Sequence, residues 1–203
     1  MTSLLGTLGS AEQDCHDLLV RLAGRLPDEL LWRLRDWLAA EARAALSAML
    51  PRELLRHRVG ITDDERDLLA AAVGEWGASP RALDAVLPAH VVDDPAVTFR
   101  PADGTVDAAA LGLIAVLRGH RDCIELRIGI RTGGRAGDEQ RVVVVLGGDR
   151  PWVLTGTLQR LLRAHGDRTP CVEVLPSHGD PPSYHRAAII GTTPLWRAAG
   201  APS

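Results

Sequence analysis

Arg141–Leu146, RVVVVL, sets four consecutive valines between an arginine and a leucine followed by two glycines. β-Branched side chains crowd a helix and suit a pleated strand. A run that is apolar on both faces belongs at the centre of a sheet. The chain is therefore predicted to be built around a sheet, and the residues on either side of this run should supply its neighbours.

Upstream, Cys123–Arg131, CIELRIGIR, alternates strictly. Ile124, Leu126, Ile128 and Ile130 share one face, with Glu125, Arg127 and Arg131 on the other, the pattern of a half-buried strand. DPAVTFRPADG reads as an earlier strand bounded by turn residues. After it, Thr105 is placed to cap a helix, VDAAALGLIAVLRG. Downstream of the valines come the helix VLTGTLQRLLRAHG, the strand CVEVL, a loop PSHGDPPS, and the apolar stretch AAIIG, read as an extra strand.

In chain order this gives β-α-β-β-α-β with a further strand. Such a pattern predicts an α+β fold with a ferredoxin-like sandwich, two helices covering one face of the sheet and the polar face of CIELRIGIR left open. The alternative is a three-layer α/β arrangement, since RVVVVLGGD, its helix and CVEVL could be half of a doubly wound sheet.

The first 90 residues carry helical spacing throughout. Ser10 and Gln13 have the spacing of a capping box, followed by the stripe Leu18, Leu19, Leu22 and Leu26. DELLWRLRDWLAAEARAALSAML reads as one long helix ending before Pro51, which is expected to open a separate short helix, PRELLRHRV. Thr62 and Glu65 form a second capping box, before DDERDLLAAAVGEW, and Ser79 and Pro80 start a last short helix. Two domains are expected: residues 1–90, helical, and residues 91–203, the α/β sandwich.

Composition narrows the function. All 23 basic residues are arginine, lysine and asparagine are absent, and Phe and Tyr occur once each, the imprint of a high-GC bacterial genome. A net charge of −3 speaks against a nucleic-acid binder. Three scattered cysteines with no CxxC argue against a disulfide framework or a thiolate metal site and fit a reducing cytoplasm. The N-terminus has no basic stretch before an apolar core, and no window reaches ~18 apolar residues, so neither export nor membrane insertion is expected. Nothing in the sequence requires a cofactor.

Two segments concentrate the chemistry. Gly147, Gly148, Asp149 and Arg150 turn a strand into a helix N-terminus, where backbone N–H groups can receive an anion. The dinucleotide and P-loop fingerprints are both missing, and Asp149 followed by Pro151 reads better as a capped corner. The loop LPSHGDPPSYHR gathers His178, Asp180, Tyr184 and His185, types that serve as metal ligands or acid–base groups. Elsewhere, Cys171 reads as a small buried residue, and DCHD, Asp14–Asp17, as a solvated helical turn. Trp32, with Arg33 and Arg35, lies off the main leucine stripe and reads as an interface anchor.

The functional expectation is a non-catalytic interaction or regulatory module whose helical half docks another protein or dimerises. The alternative is a small enzyme or ligand-binding protein that joins the turn Gly147–Arg150 to the loop His178–His185.

Overall fold

A computed structural model describes residues 10–90, 96–102, 106–120, 122–133 and 139–199. The valine run is central, as its composition requires. It forms β3 (Gln140–Gly147), paired antiparallel with β2 (Cys123–Gly133) and parallel with β4 (Cys171–Leu175). β1 (Val97–Pro101) and β5 (Thr193–Arg197) both pair antiparallel with β2, along the same side of it. β1 takes Gly129 to Gly133, and β5 takes Glu125 to Ile128. The mixed sheet is thus ordered β1-β2-β3-β4, with β5 continuing the row of β1. A ferredoxin-like layout would interleave its two βαβ halves. Here β1 and β2 are direct neighbours, and only β3 to β4 is a parallel crossover.

Helices cover both faces of this sheet. On one side, α6 (Ala108–Arg118) and α7 (Pro151–Ala164) pack Leu113, Leu117, Leu154, Leu158 and Leu162 against Leu126, Val143, Val145, Val172 and Val174. On the other, α1 (Ala11–Arg21) and α8 (Ser183–Gly191) set Val20 and Ala188 against Val142, Val144 and Leu175. The polar face of β2 is consequently covered: Arg131 is 7 % exposed and Glu125 8 %.

The remaining helices are α2 (Asp28–Ala39), α3 (Arg43–Arg56), α4 (Asp63–Leu69), which runs on through a π turn at Ala70–Gly74, and α5 (Pro80–Asp84). Their leucines form one apolar cluster with those of α1, and that cluster also includes Tyr184 of α8. α2 packs directly on α7, where a Cβ at Gly156 would overlap Ala39.

Local departures from the predicted elements have local causes. The long helix breaks at Glu41 and not at Pro51. Glu41 takes φ 55°, and the amides of Ala42 and Glu41 close on the carbonyls of Trp37 and Leu38, a Schellman ending built without glycine. Pro51 lies inside α3, buried. AAIIG is helical, inside α8, and the last strand comes after it at TPLWR. Asp107 caps α6 by accepting from the Ala110 amide, while Thr105 lies outside the described residues. The Thr62–Glu65 capping box is present in both directions.

Candidate functional site

β4 is all buried, yet its middle residue is Glu173. A carboxylate with no solvent exposure must be paired or neutral. Here the pairing is complete on both oxygens. Arg35 of α2 donates from Nη1 to Oε1 at 2.8 Å and from Nη2 to Oε2 at 2.6 Å, and His185 Nε2 of α8 lies 2.8 Å from Oε2. Burial pushes the Glu173 carboxyl up, but Arg35 and His185 outweigh it and hold it at about 2.

Helices α1 and α2 close the open edge of β4. Arg35 Nη1 also donates to the Val172 carbonyl at 2.8 Å, and His16 Nε2 donates to the Val174 carbonyl at 3.0 Å. These are alternate carbonyls of the strand, so two side chains stand where another strand would otherwise bond. Burial lowers His16 to about 4, which keeps it a neutral donor near Arg35.

A second buried patch adjoins the first. Arg131 of β2 pairs with Asp28 of α2 and donates to the Tyr184 hydroxyl at 3.1 Å, and Tyr184 lies 3.8 Å from Cys171 Sγ. Burial pushes both the tyrosine hydroxyl and the Cys171 thiol up, so neither is ionised near neutrality. A buried, protonated thiol is a poor nucleophile.

Solvent reaches a different place. A groove of about 920 Å³ opens beside the C-terminal ends of the parallel strands, at Leu146 and Leu175. Its walls are the end of α1, the segment Pro176–Ser183, the first turn of α4, and His90. Crevices beyond the carboxyl ends of parallel strands are where open α/β sheets bind ligands. Val20, Leu146, Leu175 and Ile189 contribute apolar surface, and Asp17, Arg21, Asp63 and Asp64 contribute charge.

The predicted site residues separate. His178 and Asp180 are exposed in the groove wall, with Asp180 held by Arg186 at 2.9 Å. Tyr184 reaches the groove with part of its surface, whereas His185 points inward to Glu173. His178, Asp180 and His185 are therefore not brought together, and no group of three or more His, Cys, Asp or Glu arranged to hold a metal occurs among the described residues. Gly147–Arg150 does not line the groove. Gly147 takes φ 85° under the Asp122 carbonyl, which a Cβ would strike, and Gly148 packs toward Leu154 and Cys123 on the α6–α7 side. Asp149 is not the cap of α7. Arg150 holds that position in a left-handed conformation without a side-chain bond, and Asp149 lies 3.8 Å from His120.

Of the three residues read as an interface, Arg35 is internal. Arg33 is exposed, and Trp32 is half-buried beneath the guanidinium of Arg163, 4.5 Å from its ring centre. The DCHD turn is not solvated either: Cys15 and His16 are buried. Compared with protein-family models, with curated proteins and with solved structures, the chain matched none.

Proposed function

We propose that this is a non-catalytic protein-interaction module whose docking site is the groove between α1, α8 and Pro176–Ser183. One observation carries the reading: the groove is the large concave surface at the strand ends, while three of the four reactive side chains read from the loop, Asp180, Tyr184 and His185, are committed elsewhere. His185 and Tyr184 are locked in buried pairs, Cys171 is a buried thiol, and Asp180 is tied to Arg186. A surface of this kind recognises without transforming. The reading also takes residues 1–90 as a helical part clasped onto a sheet part, 91–203. The three buried free thiols support a cytoplasmic home. No helix among the described residues is long and apolar enough to cross a membrane.

The test is a displayed random-peptide selection on the wild type and on Ser177→Trp, which places a large ring in the groove wall from an exposed position. Peptides that bind the wild type and lose the Ser177→Trp variant are expected. Equal binding to both would overturn the groove as the docking site.

A second reading places the contact on the helices. Trp32, half-exposed under Arg163 and beside exposed Arg33, has the composition of an interface anchor. Light scattering across a concentration series, with Trp32→Ala alongside, tests it. A dimer lost on substitution would support this face, and a monomer in both samples would remove self-association through it.

A further inference from the structure

We propose that the groove docks a basic peptide segment, an arginine or lysine flanked by apolar residues, from a partner protein. This rests on the groove being the docking site and adds the chemistry of what it takes.

The balance of charge within the groove decides the sign. Two of its arginines are already consumed: Arg25 is bonded to Glu65 at 2.6 Å, and Arg186 to Asp180. What remains is Arg21 against Asp17, Asp63 and Asp64, none of them in an ion pair with any described residue. The residual charge is about −2 with the histidines neutral. Asp17 matters most, because it is half-buried and its one hydrogen bond is from the Gln13 amide, at 2.8 Å. Burial raises its carboxyl above the ordinary value and Asp14 adds to the rise, while the Gln13 bond and Arg21 oppose it.

Shape and apolar lining fix the rest. Leu146 and Ile189, partly exposed, offer apolar surface in the same groove as the carboxylates, and Val20 and Leu175 reach it only at their edges. A volume of about 920 Å³ lies at the upper end of small-ligand pockets, which run to roughly 1,000 Å³. An extended chain of several residues fills such a space with alternating apolar and charged side chains.

The displayed-peptide selection is read for composition. The strongest binder is then synthesised with its basic residues intact or replaced by glutamate, and titrated into ¹⁵N-labelled protein. Enrichment of Arg or Lys beside Leu, Ile or Phe is expected, with amide shifts at Asp17–Arg21 and Ser177–Ser183. Asp17→Asn should weaken binding about tenfold, the scale of one charge-assisted bond. Asp63→Asn with Asp64→Asn, both exposed, gives a second measure should Asp17→Asn melt early. An acidic or charge-blind consensus that still shifts the groove amides would refute the basic partner and leave the docking site standing. Shifts confined to Trp32 and Arg33, or no enrichment, would overturn both.

Discussion

Replacing Arg35 by methionine tests whether the helical layer is held to the sheet by charge. The change keeps much of the side-chain volume and deletes four hydrogen bonds: two to Glu173 and one each to the carbonyls of Val172 and Leu19. Glu173, fully buried, keeps His185 on one oxygen and only the weak thiol donor of Cys171, at 3.6 Å, on the other. Breaking a buried pair by removing one partner costs roughly 3–5 kcal/mol, because the other charge is left uncompensated. Each orphaned carbonyl adds about 1 kcal/mol, and the methionine stem returns part of that by packing. The expected loss is about 4 kcal/mol, a large share of a typical stability of 5–15 kcal/mol. Urea unfolding followed by tryptophan fluorescence measures it. The decisive comparison is the double variant Arg35→Met with Glu173→Met, which removes both charges and should be more stable than Arg35→Met alone by about 2 kcal/mol. A loss under about 1 kcal/mol for Arg35→Met, or a double variant whose cost is the sum of the two singles, would refute the pairing as the source of the stability.

Three further outcomes are expected. His16 has a folded pKa of about 4 against 6.5 unfolded, so its contribution is complete above pH 6.5 and is lost as pH falls toward 4, roughly 3 kcal/mol in all. Glu173, at about 2 against 4.5, adds a second loss from pH 4.5 down to 2. Stability measured against pH should fall through both windows, and His16→Gln, which keeps a donor for Val174, should flatten the upper one. Gly156→Ala should destabilise by about 1–3 kcal/mol in thermal or urea unfolding, because its methyl group has to push α2 away from α7 at Ala39. Thr62→Ala should cost about 1 kcal/mol by removing one arm of the capping box, read from the same unfolding curves.

Where the sequence was legible, the cause was short-range. RVVVVL announced a central strand, Thr62 and Glu65 announced a helix start, and the alternation of CIELRIGIR separated the correct two faces of β2. What escaped was the identity of the neighbour. Alternation tells which side chains share a face but not what covers them, and the polar face of β2 is turned toward α2 and α8, where Arg131 meets Asp28 and Tyr184. The ferredoxin-like expectation came from the order β-α-β-β-α-β, with the polar face of that strand taken as support. In the same way the loop histidines looked like one cluster in sequence. His178 lies in the exposed segment before α8, and His185, in the first turn of that helix, is turned inward, so the two point apart. The sequence carries one further signal. Glu173 interrupts an otherwise apolar strand, CVEVL, and a carboxylate in that position implies a buried cation. Arg35, off the leucine stripe of its helix, was the matching half.

The shared side of β2 bears on how the sheet is held together. β1 and β5 meet end to end along this one strand at Gly129, where a Cβ would strike both Thr192 and the Arg100 carbonyl. β5 follows β4 and α8 in sequence, yet it pairs with β2, and α8 between them packs over β1. Without β5 the backbone of Glu125–Ile128 has a partner on one side only, so two segments far apart in the chain share the closing of a single seam along β2.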